Sequence, residues 1–332
     1  MVDLSVLIPA RDAQDTIYAT LESVVERIPA DMSYEILVGN HCGPDATHRE
    51  FDKFYNDIYN DCAHPPERLV IIDCAPAAGT VASVRNYLFH EAKGEVLLFL
   101  DSDTRLTDAW RCQMEKLWAD KGSFDNAAYS TVPVLVGIGW NMPFVVRHWF
   151  RYIVAGRSDQ LKKTGDEYMR GAHIMIGARQ FFDVGGFDEH LATGEDVDLT
   201  LRLSGRGIDC IVSCDLCVVH EGYPQTIKGF FRREMWHGTG DFRDWETFCR
   251  SNVAVISVIF AAQMLAFVLA TIVNWKAGLL AFGVLCAIPT LISYGKFSRL
   301  NPKERLLNVY MTSVYLTARA FSFFRRNQPG RV

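Results

Sequence analysis

The chain has 332 residues, of which 49% are hydrophobic, so it can bury one large core or two, and about two domains are expected. Its net charge of −5 and isoelectric point near 6.0 supply no basic surface, which argues against a nucleic-acid-binding protein. The first two-thirds mixes charged and apolar residues as a soluble domain does, while residues 253–294 are almost uncharged. We therefore expect a soluble domain followed by a membrane section.

The amino-terminal sequence and the cysteine spacing indicate the cellular compartment in which the first domain is expected. The start, MVDLSVLIPAR, lacks the basic region and long apolar core of a signal peptide, so we expect the first domain in the cytosol. Nine cysteines without regular spacing fit reduced thiols. Cys210, Cys214 and Cys217 with His220 could form a zinc site. They lie in IDCIVSCDLCVVH, which reads more naturally as strands with cysteine as a small apolar residue, so zinc is the less favoured interpretation.

Short apolar runs alternate with helical patterns along the first 104 residues. Runs of this length, apolar throughout, are typical of strands buried on both faces. Gly43 and Pro44 demand a turn, and Asp45 can cap the helix that follows. This alternation predicts an α/β domain with a mainly parallel sheet and helices on both faces. The predicted strands are 4–8, 35–39, 69–74 and 96–100, and the predicted helices are 13–27 and 80–92.

The stretch GEVLLFLDSDT, residues 94–104, ends a predicted strand in two aspartates. In an open α/β sheet the ligand crevice lies outside the carboxyl ends of the strands, so Asp101 and Asp103 would stand where a ligand binds. Two carboxylates suit Mg²⁺ or Mn²⁺ that carries a diphosphate, because such ions complete their coordination with phosphate and water. Taken alone, the pair is more readily explained as an Asp-rich turn after a strand.

The order of three segments, LIPARDAQDTI, ILVGNHCGPDAT and VRNYLFHEAKGEVLLFLDSDT, resembles family 2 glycosyltransferases of the GT-A fold. The likeness continues in VGGFDEHLATGEDVDLTLRLSGRG and in FFRREMWHGTGD, and so covers about residues 3–241. It implies a Rossmann-like catalytic domain and an inverting, metal-dependent hexosyltransferase that uses a nucleotide-diphosphate sugar with Mn²⁺ or Mg²⁺.

The resemblance also implies which residues bind the donor and the metal. The family commonly has two acidic residues where this chain has Asn40 and His41, and an asparagine where it has Asp12. Those positions lie near the nucleoside, so the base stays open, with a UDP-sugar favoured. His220 lies at the end of a predicted strand and could contact the diphosphate or the metal beside Asp101 and Asp103, although a hydrogen-bonded core histidine is an equal interpretation of it. The donor-binding residues are Pro9, Ala10, Arg11, Asp12, Asn40, Arg85, Asp101, Arg232, Arg233 and Trp236.

Gly194, Glu195 and Asp196 precede a predicted helix, VDLTLRL. The resemblance makes Asp196 the base that takes the proton of the acceptor hydroxyl, with Glu195 orienting or assisting. A carboxylate at a helix N-terminus also has a plain explanation as a cap. The upstream aspartate pair favours the catalytic role.

Arg232 and Arg233 lie among aromatic residues in FFRREMWHGTGD. In related membrane-bound members a motif of this type lies over the diphosphate and acceptor channel, and guanidinium groups match phosphate oxygens in pairs. An amphipathic helix at a membrane surface explains the same pattern, and both can hold together. Residues 226–250 are assigned to this segment, after a catalytic domain over residues 1–225.

Residues 253–273 and 277–294 are each long and apolar enough to span a membrane, which predicts a hairpin within 251–297. Positive charge is concentrated outside the hairpin, against Lys276 alone at its tip, so the positive-inside rule puts the catalytic domain in the cytoplasm. The expected localisation is the inner cell membrane. The flanking cations are Arg243, Arg250, Lys296, Arg299, Lys303 and Arg305.

Residues 298–332 are expected to form a basic loop and an interfacial helix. Between 306 and 324 the polar residues Asn308, Thr312, Arg319, Ser322 and Arg326 fall near one helical face, which favours an interfacial helix over a third span. The opposite face is apolar and holds Leu307, Met311, Val314, Ala318 and Phe321.

A membrane hairpin on a sugar transferase suggests an acceptor in the membrane. A polyprenyl-diphosphate-linked glycan is the favoured acceptor and a polyprenyl phosphate the near alternative. A growing polymer is less favoured, because two or three helices are few for a channel. From another class, the chain could be a catalytically silent nucleotide-sugar-binding scaffold of an assembly complex.

Overall fold

The computed structural model describes residues 2–41, 46–74, 79–120, 122–131, 134–135, 143–150, 168–297 and 301–325. These residues divide into two compact units. The first contains the described residues up to 135 and residues 168–222, and the second contains residues 143–150 and the described residues from 223 onward. Asp45, predicted to cap a helix, lies outside the described residues.

A seven-stranded sheet forms the centre of the first unit, in the order β3-β2-β1-β4-β8-β6-β9. The four strands predicted from sequence are its parallel half, and β8 pairs antiparallel with both β4 and β6. The mainly parallel α/β sheet is therefore confirmed. The strands are β1 Val2–Ala10, β2 Tyr34–Asn40, β3 Arg68–Asp73, β4 Gly94–Leu100, β5 Thr104–Leu106, β6 Ala127–Ser130, β7 Val134–Leu135, β8 His173–Gly177, β9 Asp209–Val212 and β10 Val218–His220.

Alternate side chains of the parallel strands fill two apolar layers, one on each face of the sheet. Val6 and Ile8 of β1 belong to one layer and Leu7 to the other, because successive side chains of a strand point to opposite faces. In β4, Leu98 lies in the first layer and Phe99 in the second. Burial on both faces explains why these strands read as uninterrupted apolar runs.

Two helices of the first unit begin at threonines whose side chains cap them. Thr80 caps α3 by accepting from the Ser83 N–H at 3.2 Å, and Thr107 caps α4. Helix α1 begins at Ile17, later than predicted, because Asp12 adopts a left-handed conformation with φ 49° and the chain turns before the helix. The helices are α1 Ile17–Arg27, α2 Ala46–Asp57, α3 Val81–Glu91, α4 Asp108–Ala119, α5 Ala178–Asp183 and α6 Glu195–Ser204.

A small second sheet, β5-β10-β7, lies at the carboxyl end of β4. Strand β10 runs antiparallel to β5 with His220 opposite Thr104. This register brings His220, distant in sequence, beside the turn that contains Asp101 and Asp103.

The second unit is helical in its described part. Its helices are α7 Ile227–His237, α8 Trp245–Arg250, α9 Asn252–Val273, α10 Trp275–Lys296 and α11 Pro302–Phe321, and a short π-helical turn covers Val146–Phe150. Helices α9 and α10 are both long and apolar enough to cross a membrane, and about 17% of the central stretch of each is buried. Their exposed residues include Ile272, Val273, Leu280 and Leu291, the reverse of a soluble core helix.

One residue, Asn274, separates α9 from α10, and its side chain caps α10 by accepting from the Lys276 N–H at 2.8 Å. Gly278 lies so close to Thr271 that a Cβ would stand 2.5 Å from its hydroxyl oxygen. A hairpin with a short tip therefore forms where the sequence predicts one.

Helix α11 buries polar residues together with part of its apolar face, since Met311 and Ala318 are also fully buried. Asn308, Thr312 and Ser322 are fully buried, while Leu307 and Phe321 of the apolar face are 40% and 49% exposed. Helix α11 packs against α7, α9 and α10 of the same unit, which buries these side chains. The Ser322 hydroxyl donates to the Met235 carbonyl at 2.7 Å.

Candidate active site

The turn after β4 is fixed by backbone hydrogen bonds before any ligand binds. The Asp101 N–H donates to the Ala172 carbonyl at 3.1 Å, and the Glu221 N–H donates to the Asp103 carbonyl at 2.9 Å. Between them, the buried Thr20 hydroxyl donates to the Ser102 carbonyl at 2.9 Å. The two aspartates therefore start from a rigid turn held by α1, β10 and the segment before β8.

Asp101, Asp103 and His220 each present a donor atom within 4.8 Å of the other two, the arrangement of a metal site. His220 Nε2 lies 3.1 Å from Asp103 Oδ1. Two carboxylates and one imidazole fit a divalent ion of the Mn²⁺ or Mg²⁺ class. Within the described part of the chain this is the group with metal-ligating geometry, and none of the cysteines belongs to it, contrary to the zinc interpretation.

Arg85, on α3, joins the metal group to the second acidic motif. Its guanidinium contacts Asp101 Oδ1 at 2.8 Å, Glu195 Oε1 at 2.7 Å and the Gly171 carbonyl at 2.9 Å, and its side chain is only 2% exposed. Burial lowers the pKa of Arg85, but the two carboxylates outweigh it and the net direction is upward. This geometry supports a positioning role, and direct donor binding by Arg85 stays a prediction.

Glu195 and Asp196 open α6, directly after Gly194 with its left-handed φ of 82°. The expected turn and the acids at the helix start are both present. Asp196 accepts from the Gly171 N–H at 3.0 Å and from the Val197 N–H at 2.8 Å. Burial raises the pKa of Glu195, and the Arg85 guanidinium opposes that rise. An ionised carboxylate has about four acceptor positions, so Asp196 keeps capacity to accept from a hydroxyl.

The other predicted donor-binding residues of the first unit lie at the carboxyl ends of β1 and β2, or directly after β1, at the same edge of the sheet. Pro9 and Ala10 end β1, Arg11 and Asp12 follow it, and Ala10 lies opposite Asn40, the last residue of β2. Asp12 is the described non-glycine residue with positive φ, a conformation that Asp and Asn tolerate best. An asparagine in the family pattern fits the same backbone.

Arg232, Arg233 and Trp236 lie on α7 of the second unit. Arg232 is exposed, and the Arg233 guanidinium lies over the rings of Phe150 and Tyr223 at 4.9 Å and 5.2 Å from their centroids. Their predicted contact with the diphosphate stays a prediction.

Two glycines contribute to the site without any signal that singled them out in the sequence. Gly171 donates its N–H to Asp196 and gives its carbonyl to Arg85. Gly222 faces Asp103 so closely that a Cβ there would overlap Oδ2 and lie 2.8 Å from Cγ. A side chain at Gly222 would therefore displace the carboxylate of Asp103.

The family model described as "Glycosyl transferase family 2" matches residues 5–186, more than half of the chain. The chain belongs to glycosyl transferase family 2. The matched range contains Arg85, Asp101 and Asp103, and ends before Glu195, Asp196 and His220.

Individual relatives agree with this assignment. The chain is 25% identical to glycosyltransferase AglE of Haloferax volcanii over 251 residues, which cover 73% of this chain and 74% of that protein. The structure resembles the mannosyltransferase PcManGT of Pyrobaculum calidifontis, solved with GDP-Man and Mn²⁺, with a TM-score of 0.62 and 17% identity over 98% of this chain and 88% of that one. It also resembles GalNAc-T7, solved with UDP, GalNAc and Mn²⁺, with a TM-score of 0.50 and 16% identity over 76% of this chain and 52% of that one. The expected GT-A fold is confirmed.

Removing the Arg85 charge should destabilise the protein strongly, because Asp101 and Glu195 would be left without their shared partner. We expect Arg85→Met to lower the free energy of unfolding by about 3–5 kcal/mol. Urea unfolding of the full chain in detergent, followed by circular dichroism, measures this loss. Arg27→Met is the matched control, because Arg27 pairs with Glu26 and Asp108 at the surface and should cost about 0–1 kcal/mol. Equal losses in the two variants would contradict the buried bridge.

Gly222→Ala should weaken Mn²⁺ binding by about 10–100-fold, because the added methyl group displaces the Asp103 carboxylate while the backbone conformation suits alanine. Titration of Mn²⁺ followed by electron paramagnetic resonance gives the affinity directly. The control is Gly122→Ala, whose Cβ would meet acidic side chains at ordinary distances of 3.7 Å and 3.8 Å. Unchanged Mn²⁺ affinity in Gly222→Ala would show that the Asp103 orientation does not define the metal group.

Proposed function

We propose that the protein is an inverting glycosyltransferase that moves a sugar from a nucleotide-diphosphate sugar to a lipid-linked acceptor at the cytoplasmic face of the membrane. The observation that carries the proposal is the single buried guanidinium of Arg85, which connects the metal group through Asp101 to the Glu195-Asp196 pair. One constellation thus contains a place for a diphosphate and a candidate base. Family membership supplies the reaction class.

Donor binding is assigned to the Asp101, Asp103 and His220 group. A bound Mn²⁺ or Mg²⁺ supplies charge to neutralise the leaving diphosphate. The Asp101 carboxylate is positioned by Arg85, and the Asp103 carboxylate lies beside His220. The neighbours solved with GDP-Man or UDP and with Mn²⁺ support this assignment, and a UDP-sugar is our favoured donor.

Asp196 is the proposed base that takes the acceptor hydroxyl proton. Its two backbone hydrogen bonds fix the carboxylate without neutralising it, as a base requires. Glu195 forms an ion pair with Arg85, and its proposed role is to position the neighbouring groups. The hydroxyl oxygen attacks the anomeric carbon as its proton passes to Asp196, and the bond to the diphosphate breaks on the opposite face of the sugar.

The properties of the second unit support the proposed class of acceptor. The lipid-facing character of α9 and α10 supports membrane attachment, and an enzyme attached in this way has direct access to a lipid carrier. A polyprenyl-diphosphate-linked glycan is favoured, with a polyprenyl phosphate as the alternative. Arg232 and Arg233 provide guanidinium groups suited to the phosphate of either carrier. A catalytically silent scaffold is disfavoured, because Asp101, Asp103 and Asp196 are all retained.

Asp196→Asn tests the base. Because the metal group is untouched, we expect donor affinity near the parent value and a transfer rate reduced by about 10²–10⁴-fold in the chemical step. Isothermal titration with UDP and GDP in Mn²⁺ gives affinity, and single-turnover transfer from radiolabelled UDP- and GDP-sugars to a membrane lipid extract gives the rate. Loss of affinity with a preserved rate would make Asp196 a binding residue. Activity kept in Asp196→Asn but lost in Glu195→Gln would move the base by one residue.

Membrane topology is tested with a thiol reagent that cannot cross the bilayer. In intact cells Lys276→Cys, at the hairpin tip, should be labelled from outside, and Lys303→Cys only after permeabilisation. The exposed native cysteines Cys112 and Cys249 are internal controls and should also require permeabilisation. Outside labelling of Cys112 would overturn the cytoplasmic assignment of the catalytic unit.

A further inference from the structure

Asp73 is an acidic residue at the ligand-binding edge that has no role in the metal group or in base catalysis. It ends β3, directly opposite Asn40 at the end of β2. The strands β3, β2, β1 and β4 are parallel, so Asp73 lies at the same edge as Asp101. With strands about 4.8 Å apart, the ends of β3 and β4 are separated by about 14 Å.

Two neighbours hold the Asp73 carboxylate by the same oxygen. The buried Asn40 side chain donates its Nδ2 to Asp73 Oδ1 at 3.1 Å, and His48 Nε2 lies 2.8 Å from that oxygen. The His48 hydrogen bond is the main cause of a lowered Asp73 pKa, which burial opposes and Asn40 assists. The side chain is 48% exposed, so the carboxylate is anchored through Oδ1 and still open to solvent.

The sheet order decides which way a nucleotide extends from the metal group. Chain order reverses between β1 and β4, and a ligand crevice forms at such a switch point, outside the carboxyl ends. On the other side of β4 lies β8, which is antiparallel and presents its amino end. A nucleotide with its diphosphate at Asp101 and Asp103 therefore has the ends of β1, β2 and β3 on which to lay its nucleoside.

We propose that Asp73, oriented by Asn40 and His48, accepts a hydrogen bond from a ring N–H of the donor's base and so selects uracil or guanine over cytosine and adenine. This inference rests on the proposed donor-binding function. An ionised carboxylate is purely an acceptor. Uracil and guanine carry a ring N–H beside a carbonyl group, whereas cytosine and adenine carry a lone pair at the corresponding nitrogen, which a carboxylate repels.

Isothermal titration of the full chain in detergent with UDP, GDP, CDP and ADP, each with Mn²⁺, tests the inference. We expect UDP or GDP to bind the parent at least about tenfold more tightly than CDP and ADP. Asp73→Asn should remove about tenfold of that affinity and leave CDP and ADP unchanged, the effect of one hydrogen bond to a charged group. His48→Ala, which leaves the carboxylate but removes one anchor, should weaken the same nucleotide by a smaller factor.

The control variant is Asp183→Asn, since Asp183 is a surface carboxylate of the same unit that pairs with Arg179. It should leave all four affinities unchanged. If Asp73→Asn changes no affinity, Asp73 forms only a surface ion pair, and the inference is wrong. Equal weakening of all four nucleotides would also overturn it, because base selection would be absent. If the parent binds none of them, the proposed function itself fails, a result distinct from either of these.

Discussion

The candidate site depends on one buried positive charge. The Arg85 guanidinium lies between Asp101 and Glu195, where a charge with fewer partners would be expensive to bury. Paired, charge-assisted hydrogen bonds offset that cost and fix orientation at the same time. The guanidinium therefore ties the end of β4 to the start of α6, two elements whose acids have different proposed tasks. If either acid moved away, the buried Arg85 guanidinium would lose one of its two carboxylate partners.

The second unit also contains a mostly buried arginine that is paired with two carboxylates. Arg319 of α11 contacts Glu234 of α7 at 3.1 Å and Asp241 at 3.3 Å, and it is mostly buried. These two carboxylates therefore pair the Arg319 charge inside the unit. Helices α9 and α10, which are long and apolar enough to cross a membrane, expose many of their apolar side chains. Each of them also buries a serine, Ser257 in α9 and Ser293 in α10.

Elements whose residue types follow directly from their local environment were predictable from the sequence. Strands buried on both faces must be apolar, so β1 to β4 were predictable, as was the turn at Gly194 before two acids. The position of His220 at the end of a predicted strand suggested contact with the metal or the diphosphate, and the register of β10 against β5 shows how it comes to lie beside Asp103. The burial of Asn308 and Thr312 in α11 could not be predicted, because a polar stripe does not reveal whether water or other helices will cover it. Gly222 gave no signal, since its importance is the absence of a side chain next to Asp103.

Gly171 links the two acidic motifs through its backbone. Its N–H holds Asp196 and its carbonyl holds Arg85, and a Cβ there would lie 3.1 Å from a guanidinium nitrogen. The carboxylates on the two sides are thus connected through one residue as well as through one guanidinium. Groups that share a partner in this way respond to mutation as a unit, and their energies do not add. A substitution that shifts Asp196 would therefore also shift Asp101 through these shared partners, so the positions of the two carboxylates are constrained to change together.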